Sequence, residues 1–261
     1  MDLGLRGRNV IVTGGASNIG RAISFEFARE GASVVILDRD RAMGERTSAE
    51  IVAEGGATVL YDVDLTDVDA TVAVVSAVEA DVGPVDVLVN NLGWSGRASF
   101  FLDLPPERWE KAWRLNLFPT FNVTRAVLPH MVQRRSGSIV SVASDAGFGE
   151  FRMGDYGPMK AGVMAFMRII AKEYGRYGIR ANSVSPGLVI PDPDVIGENS
   201  LWQQDMGFGE RELDNITSST PLRTRPEAVD IAWAVLMLSS AQARHLSGQV
   251  LSVSGGFAMP R

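Results

Sequence analysis

Seven short runs rich in branched aliphatic residues, such as Val34-Val35-Ile36-Leu37, alternate with longer amphipathic stretches along the whole chain. Strands that are apolar on both sides suit a sheet covered on both faces, and regular strand–helix alternation builds parallel βα units. The runs predict strands over 9–12, 33–37, 57–61, 86–89, 138–142, 180–184 and 249–253. The intervening periodicity predicts helices over 19–30, 41–54, 67–81, 106–134, 156–177 and 226–239. No repeat, low-complexity tract or linker divides the 261 residues. The expected fold is therefore α/β, a single doubly wound domain (1–261) around a seven-stranded parallel sheet. Only 188–224 breaks the rhythm, with its Pro, Asp, Gly and Ser content and Trp202 and Phe208. A loop of that length in a compact domain is usually functional, and it reads as a substrate lid.

Composition narrows the partners. The chain carries 31 acidic and 25 basic residues with no long run of one sign, so it offers no basic face for a nucleic acid. With no cysteine and only His130 and His245, neither thiol chemistry nor a metal site is expected. The first strand starts within ten residues of Met1, leaving no room for a signal peptide, and no apolar run spans a bilayer. A cytoplasmic protein acting on a small molecule is the expectation.

The first strand runs into Thr13-Gly14-Gly15-Ala16-Ser17-Asn18-Ile19-Gly20, and a helix follows at once. Such a turn lets backbone N–H groups approach a pyrophosphate at a helix N-terminus. Gly14, Ser17, Asn18, Ile19 and Gly20 are the candidates for that contact. Asp38 closes the second strand at the distance a dinucleotide fingerprint requires. Its carboxylate suits both hydroxyls of the adenosine ribose and repels a 2′-phosphate, which points to NAD. Arg39 beside it would tolerate some NADP, and Asp38 could instead cap the helix at 41. Asp64 and Leu65 follow the third strand, where the carboxylate could reach adenine. Asp67 reads equally well as a helix cap. Asn90-Asn91-Leu92-Gly93 stands at the C-terminal edge of the sheet, where ligands bind in such folds, making Asn91 and Gly93 candidates.

These motifs, with Tyr156-x-x-x-Lys160, Pro186-Gly187 and Gly255-Gly256, stand in the order of the short-chain dehydrogenase/reductase family, which the sequence resembles over nearly its whole length. The resemblance implies NAD-dependent interconversion of a secondary alcohol and a ketone. Tyr156 would be the general acid–base and Lys160 its partner, both also touching the cofactor. Ser144 would hold the substrate oxygen, and Asn116 would support a proton relay. The i, i+4 spacing puts Tyr156 and Lys160 on one helix face, where an ammonium should lower the phenol pKa. Pro158 between them fits the first turn of a helix. The loop from Ser144 to Tyr156 is one residue shorter than usual, leaving Ser141 as the alternative. Asp145 reads as a loop residue and not an acid catalyst. The long helices imply a homotetramer.

Four positions depart from the family pattern. Asn18 replaces a glycine but tolerates positive φ. Leu92 replaces a small residue. Pro119 should disturb the long helix near Asn116. No threonine follows Pro186-Gly187, so nicotinamide anchoring falls to backbone groups of Pro186, Gly187 and Val189. Local stretches such as Gly93-Trp94 and Ala143-Ser144-Asp145-Ala146 are most similar to the 2-hydroxycyclohexanecarboxyl-CoA dehydrogenase branch. That implies a bulky cyclic alcohol, either as a β-hydroxyacyl-CoA thioester or free. Trp94, Phe148, Phe151, Arg152, Trp202 and Phe208 are the pocket candidates, with Arg97, Arg152 or Arg223 to meet CoA phosphates. Acidic lid residues, including Asp192, Asp194 and Glu210, count against a polyanion. The rival readings are an NADPH-type biosynthetic ketoreductase and a non-catalytic NAD-binding companion subunit.

Overall fold

The computed structural model describes residues 2–197, 200 and 209–259. Seven strands, β1 (Asn9–Thr13), β2 (Ser33–Asp38), β3 (Ala57–Asp62), β4 (Val87–Asn90), β5 (Gly137–Val142), β6 (Ile179–Pro186) and β7 (Val250–Val253), form one parallel sheet in the order β3-β2-β1-β4-β5-β6-β7. The α/β fold expected from the alternation of runs is the fold observed. From β1 the chain winds outward through β2 and β3, then returns to lay β4 on the other side of β1. That reversal opens a crevice at the C-terminal ends of β1 and β4.

The pleat divides the aliphatic runs between two cores. Val10, Val12, Val34, Ile36, Val87 and Val89 face one side, under α1 (Asn18–Arg29) and α8 (Ala228–Ser239). Ile11, Val35, Leu37, Leu88 and Ile139 face the other, under α3 (Val68–Asp81), α5 (Phe118–Arg134) and α6 (Tyr156–Tyr174). All eleven are buried, each contributing roughly 1.5–3 kcal/mol by its removal from water. Helix α2 (Arg41–Ala53) covers β3 and adds Met43 and Ile51 to the first core.

Three helices depart from the sequence expectation. The stretch read as one helix over 106–134 is two: α4 (Pro106–Asn116) and α5, hinged at Leu117. Pro119 sits in the first turn of α5, where its missing N–H costs nothing, so a break between two helices replaces the expected kink. Helix α6 ends at Tyr174 and tightens into a 3-10 turn closed by Gly178 at φ 73°. The segment read as loop over 188–224 contains α7 (Glu210–Ser219), whose first turn carries Glu210 and Glu212. Only Leu213 and Ile216 give it an apolar side, too few for its periodicity to stand out. Among the described residues no helix is long and apolar enough to cross a membrane, and no cluster of three His, Asp or Glu could hold a metal.

Candidate active site

A cleft of about 400 Å³ runs along the C-terminal ends of β1, β2, β4, β5 and β6. Its floor at the switch point is held by Thr13 and Asn91. The Thr13 hydroxyl accepts from the N–H groups of Asn91 (2.9 Å) and Leu92 (3.1 Å). The Asn91 amide donates to the carbonyls of Thr13 and Gly14, each at 3.0 Å. Thr13 was missing from the sequence-derived candidates, because its part is to brace the strand ends and not to face a ligand.

Gly14 lies at φ +60°, and Asn18 at φ 47° confirms that asparagine takes the left-handed conformation where the family has glycine. Gly20 packs so closely on the turn that a Cβ there would sit 1.9 Å from the Gly14 carbonyl oxygen. Ser17 is the N-cap of α1, yet its hydroxyl caps no backbone N–H. Both carboxylate oxygens of Asp38 are fixed by the backbone: Oδ2 accepts from Ala16 N–H (3.1 Å) and Oδ1 from Asp40 N–H (3.0 Å). Burial pushes its pKa up, and these two bonds oppose the rise. The alternative that Asp38 caps the next helix is overturned, since Asp40 caps α2 by accepting from Met43 N–H at 3.2 Å. Likewise Asp67 caps α3, accepting from Ala70 N–H at 2.9 Å. Asp64 stays exposed at the cleft with Arg39, and the buried Leu65 is held through its carbonyl by Asn122 at 3.0 Å.

At the other end, Ser144, Tyr156 and Lys160 converge. The Ser144 and Tyr156 side chains face the same cleft, where the Ser144 hydroxyl accepts from Ala146 N–H at 3.2 Å and acts on the Tyr156 phenol to lower its pKa. Ser141 is buried beneath them, bound to Asn90 (3.2 Å) and Met167 (3.1 Å), so Ser144 is the serine the cleft presents. Pro158 lies in the first turn of α6, as its missing N–H requires. The Lys160 ammonium donates to the Val142 carbonyl (2.9 Å) and stands 5.6 Å from the centre of the Tyr156 ring. Gly93 leaves room for this arrangement, for a Cβ there would fall 2.9 Å from Lys160 Nζ and 3.1 Å from Asn116 Oδ1. The Asn116 side chain accepts from Trp94 N–H (3.0 Å) and donates to the carbonyls of Trp94 and Ala112 (2.9 Å each). It ends α4 and pins the loop after β4, which the hinge at Leu117 makes possible.

The electrostatics differ from the expectation that the ammonium lowers the phenol. Burial pushes Tyr156 up to about 12, with the Ser144 hydroxyl opposing, and burial pulls Lys160 down to about 8. Desolvation governs both shifts, because among the described residues neither group forms an ion pair.

Of the pocket candidates, Phe151 and Arg152 line the cleft, with Phe151 edge-on to Phe100 at 5.4 Å. Arg152 donates to Ala98 O (2.9 Å) and pairs with Glu212 of α7 (3.2 Å). Two others are corrected. Trp94 is 3% exposed and lies under Lys111 (4.3 Å) and Arg108 (5.8 Å), packing the loop instead of the cleft. Phe148 closes a 3-10 turn, Asp145–Phe148, on its solvent side and does not line the cleft. Trp202 and Phe208 lie outside the described residues. Pro186, Gly187 and Val189 line the cleft where β6 ends, and Gly187 N–H is bound to Val253 O at 3.0 Å. Sequence reading missed the apolar wall of Met153, Leu188, Ile216 and Phe257, because only the fold brings residues that far apart together.

Residues 8–195 match the short chain dehydrogenase family. The chain belongs to that family. It is 32% identical over 97% of its length to the 3-oxoacyl-(acyl-carrier-protein) reductase FabG of Thermotoga maritima, covering 98% of that protein. It is 34% identical, with the same coverage, to BbsD of Thauera aromatica, a subunit of a hydroxy(phenyl)methylsuccinyl-CoA dehydrogenase. A solved 7α-hydroxysteroid dehydrogenase, complexed with NADH and 7-oxo glycochenodeoxycholic acid, superposes with a TM-score of 0.88 at 31% identity, over 98% of this chain and 96% of that one. As a member of the family, the chain is an oxidoreductase of alcohols and ketones that takes a nicotinamide cofactor. Its own residues fit such a group: α1 presents unpaired N-terminal N–H groups and an unengaged Ser17 hydroxyl, and glycine at 14 and 20 lets the turn close tightly at that helix end.

Proposed function

We propose that this chain is an NAD-dependent dehydrogenase that interconverts a secondary alcohol and a ketone on a bulky cyclic substrate. The observation carrying this reading is one cleft with Ser144, Tyr156 and Lys160 at one end and the backbone-held Asp38 carboxylate at the other. Tyr156 exchanges a proton with the substrate oxygen, and Ser144 holds that oxygen as its charge changes. Lys160 and Tyr156 hold the cofactor's nicotinamide-side ribose, while the α1 N-terminus holds its pyrophosphate. When bound, the nicotinamide supplies the acceptor or donor for hydride. Asn116 acts by positioning the Trp94 loop beside Lys160 and by supporting the proton relay. Segment 188–224 with α7 serves as the lid, its Glu212 tied to Arg152. The active form is a cytoplasmic homotetramer.

Asp38 decides the cofactor. A phosphate set against this carboxylate is repelled, and NAD should exceed NADP in catalytic efficiency by about tenfold or more. Asp38→Ser should narrow that gap. Equal use of the two cofactors by the wild type would exclude NAD specificity and favour the NADPH-type reductase.

The substrate's bulk is supported by the apolar wall of Met153, Leu188, Ile216 and Phe257. BbsD acts within a dehydrogenase whose substrate combines a ring, a secondary alcohol and a CoA thioester, which supports the same class here. Arg225, half-buried in the cleft, is available to a CoA phosphate, whereas Arg152 is engaged by Glu212. A cyclic β-hydroxyacyl-CoA is expected to surpass its free hydroxy acid and the simple ring alcohol in kcat/KM. Equal values would remove the CoA portion and leave the neutral ring alcohol.

A further inference from the structure

Asp145 immediately follows Ser144, and its side chain turns inward and is buried. Its Oδ1 accepts from the hydroxyl of Ser185 (2.7 Å) and from that of Ser252 (3.2 Å). Ser252 is in turn 2.8 Å from the Ser254 hydroxyl. The ends of β6 and β7 therefore converge on one carboxylate, correcting its reading as a simple loop residue. Several hydroxyl donors gathered on one carboxyl group suit its ionised form, which only accepts. Among the described residues no lysine or arginine forms an ion pair with it, and Glu150, a charge of the same sign, acts on it to raise its pKa. Burial pushes its pKa up while the serines hold it down.

Asp145 shares the cleft with Ser144, Tyr156, Pro186 and Gly187. Proton and hydride leave one carbinol group, so the nicotinamide must lie at the Ser144–Tyr156 end, the end this carboxylate borders. We infer that Asp145 sets the redox preference of cofactor binding: its buried negative charge, lacking a cation of its own, favours the positively charged oxidised nicotinamide over the neutral reduced one. The inference rests on the nicotinamide-dependent reading above. Its consequence is a site biased toward alcohol oxidation. Two opposite unit charges in a partly buried site interact strongly enough to change affinity by about tenfold.

The test is direct binding of NAD⁺ and of NADH to the purified protein by titration calorimetry, without substrate. Asp145→Asn should weaken NAD⁺ by about tenfold and leave NADH within about twofold. Ser185→Ala keeps the carboxyl group but removes its shortest donor, and should shift the NAD⁺/NADH affinity ratio in the same direction by less. It also decides the matter if Asp145→Asn fails to fold by circular dichroism. A purely structural tie would alter both affinities together, and an unchanged ratio in the folded variants overturns the inference while leaving the dehydrogenase reading intact. Failure of the wild type to bind any nicotinamide nucleotide would instead overturn that reading, and this inference with it.

Discussion

Tyr156→Phe is expected to lower turnover by roughly 100-fold or more, the usual scale for losing a general acid–base, while NADH affinity stays nearly unchanged. The phenyl ring keeps the shape of the cleft wall and loses only the hydroxyl that shares the cleft with Ser144. The cofactor-free phenol, held near 12, carries its proton at neutral pH and is ready to act as the acid in ketone reduction. Acting as the base in alcohol oxidation requires a positive charge nearby, which both protonated Lys160 and the oxidised cofactor bring. Steady-state kinetics in both directions, with NADH binding measured in parallel, checks this. Near wild-type turnover in Tyr156→Phe would remove Tyr156 from the chemistry.

Lys160→Met should abolish activity yet stabilise the cofactor-free protein at pH 7. The ammonium has an ordinary value of 10.5 and is drawn down to about 8 by burial, a shift corresponding to about 3 kcal/mol of unfavourable burial. Losing its hydrogen bond to the Val142 carbonyl returns about 1 kcal/mol, so the net gain should be about 2 kcal/mol. The sign follows from proton counts. Below pH 8 both folded and unfolded lysine are charged, and the whole cost of burying the charge is felt. Between 8 and 10.5 the unfolded chain binds the extra proton, so wild-type stability rises with pH and the gap to the variant closes. Tyr156, at about 12 against an ordinary 10, opposes this only above pH 10. Urea unfolding of both proteins at pH 7 and pH 9.5 reads the difference. A variant less stable than wild type at pH 7 would show that the structure accommodates the buried charge without penalty.

What the sequence made legible was whatever short-range chemistry governs. Asn18 at positive φ and the early place of Pro158 in α6 follow from the steric limits of those residue types, whereas Pro119 signalled a disturbance but not the full break it accompanies. The strands were legible because two buried faces leave no polar alternation. Less legible was anything decided by desolvation or by distant packing. The ammonium–phenol pairing suggested a lowered Tyr156, but the depth of the pair reverses the outcome. Trp94 looked like a pocket wall until Arg108 and Lys111 were seen to cover it. Asp145 looked like loop polarity because Ser185 and Ser252 lie 40 and 107 residues away.

The reversal of winding at β1 and β4 also has a consequence for descent with modification. Residues proposed for the adenosine half of the cofactor precede β4, whereas Asn116, Ser144, Tyr156 and Lys160 all follow it. Among the described residues, the strand-end brace of Thr13 and Asn91 and the Asn122–Leu65 hydrogen bond join the early and late parts of the chain across the crevice. Substrate choice can therefore drift through the later half of the chain without disturbing nucleotide choice in the earlier half. A lineage built on this plan can acquire new alcohols while inheriting its coenzyme.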